Sequence, residues 1–189
     1  MKFEFCGADK KGVYFDEENR RQLQEIRSTF AEAAGNLADI GRKEEAKKLL
    51  ERCDKGMDAT NYPYALASRY NTHNEVSLIF LEACYKAGDK TLAEKVRLAL
   101  HKDLDQQKRY YEYIKSDSPD IFSSWYERSE YPANSAMLDI LDALEKKYAP
   151  EVVKPTNNNN LNGLNTNLGK KDSTAIKDSL EKPDTSKSK

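Results

Sequence analysis

The sequence predicts an all-α fold built from stacked antiparallel helical hairpins. Two similar turns carry this prediction, because in each of them an alanine follows a glycine by five residues (Gly41 to Ala46, and Gly88 to Ala93). Glycine adopts the left-handed conformation that ends many helices, and alanine is small enough for two helices to approach closely. On both sides of each turn, apolar residues recur at spacings of three and four, which is typical of one buried helix face.

The composition limits the kinds of partner and site that the chain can have. Its 189 residues include 31 basic and 32 acidic side chains, for a formal net charge of −1, and the two signs are mixed along the chain. No general positive field is present to attract nucleic acid. No run approaches the ~18 apolar residues of a membrane-spanning helix, so the chain as given is expected to be soluble. Three widely spaced cysteines predict neither a disulfide framework nor a structural zinc site.

The first hairpin is predicted from the N-terminal half of the chain. Residues 1–15 should form an extended lead that packs its aromatic side chains on the first helix, and the helical domain should cover residues 16–149. The first helix is predicted over residues 17–40, with Asp16 as its N-cap. Gly35 within this helix suggests close packing against a neighbour. Its apolar face should consist of Leu23, Ile26, Phe30, Ala33, Leu37 and Ile40.

The second helix and the segment after it follow from similar signals. The helix is predicted over residues 43–56, and the short loop at Gly41 allows only an antiparallel hairpin. An irregular connection, rich in tyrosine, then covers residues 58–72. Pro63 disfavours helix at the residue before it, and a short helical turn is predicted over residues 65–69.

The second hairpin and a closing helix complete the predicted domain. Two helices, over residues 73–87 and about 90–114, are joined at the second glycine turn. Pro119 suits the first position of a further helical turn. A last helix, over residues 133–148, should close the exposed end of the stack. Residues 150–189 are rich in Asn, Ser and Lys and cannot bury enough apolar area to fold, so they are predicted to be disordered.

The second turn resembles that of a tetratricopeptide repeat. The resemblance lies in Tyr85-Lys86-Ala87-Gly88-Asp89 followed by Ala93, and residues 37–46 match it more weakly. The two glycines are farther apart than the ~34 residues of that repeat, and the aromatic connection accounts for the excess. The predicted fold is therefore a short tetratricopeptide-like array of two hairpins, closed at its ends by the lead and the last helix.

Seven short segments carry a wider resemblance over nearly all of residues 1–148. In chain order they are Gly12-Val13-Tyr14-Phe15-Asp16-Glu17, Arg20-Arg21, Arg27-Ser28-Thr29-Phe30, Pro63-Tyr64, Ser68-Arg69, Ala83-Cys84-Tyr85-Lys86-Ala87-Gly88-Asp89 and Tyr110-Tyr111. Their order is similar to that in the C-terminal soluble domain of a large family of bacterial multipass membrane proteins. The membrane part of that family resembles GT-C glycosyltransferases of the protein O-mannosyltransferase kind.

This resemblance implies an accessory domain at the outer (periplasmic) face of a membrane. Its partner would be a protein or peptide, including a membrane-embedded region of the same or a neighbouring protein. The chain has none of the membrane helices in which that family's catalysis would lie. It is therefore expected to be either a fragment of such a protein or a stand-alone version of the domain, and the second alternative would be cytoplasmic.

A partner-binding patch is predicted on the aromatic connection and on the fourth helix. Loops held on a rigid scaffold commonly carry binding residues, and aromatic and arginine side chains dominate interfaces. The alternative is that the tyrosines of the connection fill the gap between the hairpins. The candidate residues are Tyr62, Tyr64, Ser68, Arg69, Tyr70, Tyr110 and Tyr113.

The two histidines, His73 and His101, give little sign of chemistry. His73 is expected to cap a helix or to be exposed, and His101 lies in a charged helical stretch beside Asp103. A metal site would need a third converging ligand, which the spacing does not supply. The sequence thus predicts no catalytic, cofactor-binding or metal-binding residue.

The functional hypothesis that follows is a non-catalytic helical domain for protein–protein interaction, as the accessory part of a membrane glycosyltransferase-like protein. The first alternative is a stand-alone adapter that binds a peptide in the groove between its hairpins. The second, less favoured alternative is a metal-dependent hydrolase that uses His73 or His101.

Overall fold

The computed structural model describes Phe5 and residues 7–149, without the side chains of residues 125–127. Over these residues the protein is all-helical, which confirms the predicted fold class, and they contain no strand. None of the helices among them is long and apolar enough to cross a membrane. The predicted tail, and the first four residues of the lead, lie outside the described residues.

Two hairpins and a closing helix make up the fold. The first two helices form one hairpin, the third and fourth form another, and the last helix packs on the third and fourth. A 3-10 turn, Arg69–Asn71, leads into the third helix. The helices are α1 (Glu17–Asp39), α2 (Lys43–Gly56), α3 (Thr72–Ala87), α4 (Lys90–Asp117), α5 (Pro119–Phe122) and α6 (Trp125–Tyr148).

The two glycine turns share one geometry. Gly41 and Gly88 have φ angles of 83° and 75°, in the left-handed region. After Gly88, the amide of Asp89 donates to the Cys84 carbonyl at 2.9 Å, and the turn at Gly41 repeats this bond. This pattern satisfies carbonyl groups that the helix end leaves without partners. Each turn therefore reverses the chain within a few residues and sets two helices side by side.

The alanines after the turns lie where the paired helices meet. Ala46 and Ala93 are fully buried, each in the first turn and a half of its helix. A larger side chain at either position would be forced into a close-packed interior, which costs typically 1–3 kcal/mol. The hairpins thus depend on a glycine for the turn and on an alanine for the contact.

We expect Gly88→Ala to lower the free energy of unfolding by about 1–2 kcal/mol, because alanine is strained at positive φ. An added Cβ there would meet only the end of Lys47 at 4.0 Å, so backbone strain alone would act. Gly35→Ala is the matched control, since Gly35 is inside α1 and an added Cβ meets nothing within 4 Å. That variant should gain up to about 1 kcal/mol. Urea denaturation followed by circular dichroism measures both free energies of unfolding. If both substitutions stabilised the protein, or both destabilised it, backbone strain at Gly88 would not explain the result.

The buried face of α1 matches the predicted one in part: Leu23 is buried, and Ile26, Phe30 and Leu37 pack against the core as partly buried side chains. Ile40 lies beyond the end of the helix and is 68% exposed, and the open space around Gly35 shows that close packing at this glycine was wrongly predicted. Small residues and an arginine occupy the other fully buried positions, because the guanidinium finds acceptors there. The buried residues of α1 are Leu23, Arg27, Ala31, Ala34 and Ala38.

α6 begins well before residue 133, where the sequence predicted its start, and it runs through Pro132. Proline removes one hydrogen bond from a helix interior, but polar contacts hold the chain on both sides of it. Glu130 is buried and accepts the amide hydrogen of Tyr70 at 2.7 Å. Asn134 is buried and donates to a carbonyl of α4 at 3.2 Å. These tertiary contacts outweigh the local preference of proline.

The lead contributes one ring to the core. Phe5 is buried, its ring centroid lies 5.6 Å from that of Phe30 in α1, and an added Cβ at Gly56 would overlap it. Phe15 is buried too, whereas Tyr14 is 84% exposed. The lead therefore packs on the first hairpin through some of its aromatic residues and leaves others in solvent.

Candidate functional site

A groove of about 580 Å³ lies between α1 and the connection that leads into α3. Its volume falls in the range of pockets that hold small ligands or peptide side chains. One wall is the N-terminal half of α1, and the other is the end of the connection with the start of α3. The groove is lined by Glu17, Arg20, Arg21, Gln24, Glu25, Ser28, Tyr62, Leu66, Ala67, Ser68, Arg69, Thr72, His73 and Val76.

A buried arginine fastens the connection to α1. Arg27 is only 2% exposed, and it donates to the carbonyls of Pro63 and Tyr62, both at 2.9 Å. Its guanidinium also lies 4.2 Å and 4.5 Å from the ring centroids of Tyr62 and Tyr64. Burial lowers the pKa of Arg27. The carbonyl oxygens and the aromatic faces, which attract cations, offset this effect and stabilise the positive charge of Arg27.

Tyr62 and Tyr64 belong to the interior. They are 1% and 4% exposed, and the Tyr64 hydroxyl donates to Asp54 at 2.8 Å. Burial, followed by the charge of Asp54, raises the pKa of Tyr64. Both side chains fill the space between the hairpins, as the alternative interpretation of the sequence has it. They present almost no surface to a partner.

His73 is a buried neutral side chain, so the expectation of a capping or exposed histidine was wrong. It is 4% exposed, its Nε2 donates to the Pro63 carbonyl at 2.8 Å, and its ring meets Tyr62 edge-on. Burial and then the positive charge of Arg27 lower its pKa to about 4. At neutral pH the imidazole is therefore uncharged and adds no cation to the groove.

The backbone next to the groove is strained at two consecutive residues. Tyr70 and Asn71 have φ angles of 55° and 56°, and such left-handed conformations cost non-glycine residues about 1–3 kcal/mol each. The 3-10 turn contains them, whereas the predicted helical turn over residues 65–69 is wrong because residues 65–68 are not helical. Strain of this kind clusters at functional sites.

A network of buried polar side chains holds the strained segment. Asn71 is fully buried and bonds with Gln107 in both directions, at 3.1 Å and 3.2 Å. Asn74 donates to Asn71 at 2.8 Å and to Asp103 at 2.7 Å. Because α3 and α4 supply these partners, the network ties the end of the connection to the second hairpin. These hydrogen bonds thus hold in place the groove wall that carries Arg69.

Two arginines of the groove have no acidic partner. Within the described part of the chain, neither Arg20 nor Arg69 has a carboxylate within ion-pair distance. The third, Arg21, pairs with Glu18 at 2.8 Å. The Arg69 guanidinium lies 5.0 Å from the centroid of the Tyr70 ring. Arg69 also donates to the Tyr70 hydroxyl at 3.3 Å. The two arginines that lack an acidic partner among the described residues stand on opposite walls, Arg20 on α1 and Arg69 on the connection.

The hydroxyl group of Tyr62 is buried, although the residue lines the groove. It has no hydrogen-bond partner among the described residues. Burial raises the pKa of Tyr62 to about 12, so the hydroxyl keeps its proton at neutral pH. Leaving such a group unsatisfied costs about 1–3 kcal/mol.

The remaining predicted residues have separate places. Ser68 lines the groove, and its hydroxyl accepts the amide hydrogen of His73 at 3.1 Å, at the start of α3. Tyr70 is 44% exposed. Tyr110 and Tyr113 are 53% and 59% exposed on α4 and do not line the groove. The structure therefore brings Ser68 and Arg69 together at the groove and leaves the α4 tyrosines outside it.

Arg20 lines the groove, but it is not among the candidate binding residues that the sequence predicts. In the sequence it belongs only to a segment of the family resemblance, because an arginine on an exposed helix turn is ordinary. Arg20 becomes part of a groove because the connection that carries Arg69 forms the opposite wall. The connection is far along the chain from α1, so no local sequence pattern indicates that the two segments lie side by side.

A second polar cluster surrounds His101. Its Nε2 lies 2.5 Å from Oε1 of Glu145 on α6, and Asp142 lies on the same helix. The nitrogen of His101 and one oxygen of each carboxylate are all within 4.8 Å of one another. The spacing in the sequence supplies no third ligand near His101, but the packing of α6 on α4 does.

Comparison of the chain with protein-family models, with curated proteins and with solved structures gives no match in any of the three. The tetratricopeptide-like and glycosyltransferase-associated resemblances therefore stay predictions. A functional proposal has to start from the geometry and charge of the groove.

Proposed function

We propose that the chain is a non-catalytic helical domain that binds an acidic segment of a protein partner in the groove between α1 and the connection. The observation that carries this proposal is the pair of arginines, Arg20 and Arg69, that line the groove on opposite walls and have no acidic partner within residues 7–149. Arginine binds carboxylates through two parallel N–H groups. A carboxylate placed between the two walls would meet both guanidinium groups.

The other lining groups fit an acidic peptide rather than a free anion. The apolar side chains of Leu66, Ala67 and Val76 suit the aliphatic part of a peptide. Glu17 and Glu25 also line the groove, and they favour a ligand with donors of its own, such as a peptide backbone. The arginines would thus fix the acidic side chain while the remaining surface takes the chain beside it.

The strained connection supports this proposal through preorganisation. Arg69 directly precedes the left-handed pair of Tyr70 and Asn71, which buried side chains hold in place. Binding is weakened by the entropy lost when loops and side chains become ordered. A wall that is already ordered loses less of it. The same groove would serve a stand-alone adapter, or an accessory domain of a membrane glycosyltransferase-like protein as the wider resemblance implies.

Charge reversal at both arginines tests the proposal. Random peptides displayed on phage are selected on the full chain, and their affinities are then measured by fluorescence anisotropy. We expect the selected peptides to be enriched in Asp and Glu. Arg20→Glu with Arg69→Glu should weaken their binding by about 10- to 100-fold, because two charge-assisted contacts of about 1 kcal/mol or more each are lost.

A second double variant controls for the change in net charge. Lys108→Glu with Arg109→Glu alters the charge by the same amount at two exposed positions of α4 that do not line the groove. This control should bind the selected peptides nearly as well as the wild type. Equal loss in both double variants, or peptides without acidic residues, would contradict binding in the groove.

A further inference from the structure

The contact between α4 and the last two turns of α6 gathers three metal-ligating side chains. His101 comes from α4, and Asp142 and Glu145 come from α6. They stand at positions i and i+3, which lie on the same side of a helix. One donor atom from each residue lies within 4.8 Å of the other two. None of these residues lines the groove described above.

We propose that His101, Asp142 and Glu145 bind a divalent cation, Zn²⁺ in the first place. An imidazole nitrogen with two carboxylate oxygens is a donor set that suits zinc. Mg²⁺ and Ca²⁺ prefer oxygen ligands throughout. Three protein ligands leave a coordination position for water or for a group of another molecule.

The local charge favours a cation. Glu145 is 7% exposed, and its Oε1 accepts from Arg97 at 3.3 Å. Arg97 is also held at 2.7 Å by each oxygen of Glu94. Arg97 therefore bonds two carboxylates, those of Glu94 and Glu145, and the carboxylate of Asp142 lies close to that of Glu145. The C-terminal end of α6, at Tyr148, adds the partial negative charge of its unpaired carbonyls.

The geometry needs only a small rearrangement. Nε2 of His101 lies in hydrogen-bond contact with Oε1 of Glu145, at 2.5 Å, and the cation would replace this hydrogen bond. Asp142 is exposed and forms no hydrogen bond or ion pair with another described residue, so its carboxylate can turn toward the ion. Arg97 would remain bonded to Glu145 and orient it, as groups behind metal ligands commonly do.

Bound zinc would join α6 to α4 and stabilise the closing helix. Isothermal titration of Zn²⁺ into the full chain, without a histidine tag and after removal of metal with EDTA, tests the site. We expect one ion per chain with micromolar affinity or better, and a higher melting temperature with zinc. Mg²⁺ should not compete. In NMR spectra, zinc should shift the imidazole signals of His101 and leave those of His73 unchanged.

Two variants separate coordination from simple charge attraction. Asp142→Asn removes a ligand at an exposed position, so the zinc-free protein should melt as the wild type does, while zinc affinity falls by at least about 100-fold. Glu94→Gln removes the same charge nearby without removing a ligand, and should lower the affinity by less than about tenfold. Absence of zinc binding, unchanged binding by Asp142→Asn, or equal losses in the two variants would each overturn the proposal.

Discussion

Replacing Arg27 with methionine is expected to lower the free energy of unfolding by about 2–4 kcal/mol, because hydrogen bonds from a buried charged group, worth about 1.5–3 kcal/mol each, are lost. Methionine matches the length of the arginine stem but donates no hydrogen bond. The Tyr62 carbonyl would lose its donor, and an unsatisfied buried group costs about 1–3 kcal/mol. The Pro63 carbonyl would lose one donor and keep the hydrogen bond from His73. The guanidinium contacts with the rings of Tyr62 and Tyr64 would also be lost. Urea denaturation of the full chain measures the change.

Two further variants define what Arg27 does. Arg21→Met changes an exposed arginine of the same helix that pairs with Glu18, and it should leave the denaturation midpoint unchanged. Arg27→Lys keeps the charge but cannot reach both carbonyls with parallel N–H groups, so its stability should lie between those of wild type and Arg27→Met. If Arg27→Met unfolded at the wild-type midpoint, the connection would not depend on this contact.

The second large effect concerns the dependence of stability on pH. The pKa of His73 falls from its ordinary value near 6.5 to about 4 in the folded state, because burial and the charge of Arg27 disfavour the imidazolium. Between these two values the unfolded chain binds more protons than the folded one, so the free energy of unfolding decreases as the pH is lowered. The loss from this residue should total about 3 kcal/mol. It begins near pH 6.5 and is complete just below pH 4.

His73→Gln removes the titrating group and keeps an amide that can donate to the Pro63 carbonyl. The stability advantage of the wild type over this variant should therefore shrink as the pH falls from 6.5 to 4. If the free energies of unfolding of the two proteins instead changed in parallel over that interval, the pKa of His73 would be the same in the folded and unfolded states, which would contradict the prediction. An NMR titration of the His73 imidazole gives its folded-state pKa directly.

The features predicted well from the sequence are those with local causes. α2 has its predicted bounds of Lys43 and Gly56, and the Asp16 side chain accepts from the Asn19 amide at 2.8 Å, as an N-cap should. Pro119 occupies the first turn of α5, where its missing N–H does no harm. In each case, the residue acts through neighbours within a turn or two along the chain.

The features that were missed depend on contacts between distant segments. A ranking by hydropathy places Arg27 at the surface, and only the carbonyls of Tyr62 and Pro63 give it an interior place. One signal was present, because the small residues Ala31, Ala34 and Ala38 continue the face of Arg27 at helical spacing. A face of alanines has a low hydropathy, so the larger residues beside it were chosen.

The same limitation applies to both candidate sites. Arg20 and Arg69 are far apart in the sequence, and both line the groove because Arg27 fastens the connection to α1. His101 meets Asp142 and Glu145 because α6 packs on α4. The i, i+3 spacing on α6 predicts that Asp142 and Glu145 lie side by side. It does not predict that His101 of α4 faces them.

The partner-binding role of the groove is the central claim, and an NMR titration tests it most directly. A peptide selected on the wild-type protein is added to the full chain labelled with ¹⁵N, and the shifted amide signals are mapped. The proposal predicts the largest changes over residues 20–28 and 66–73, and their loss in the Arg20→Glu, Arg69→Glu variant. Changes centred on Tyr110 and Tyr113 of α4, with the groove signals unmoved, would contradict it.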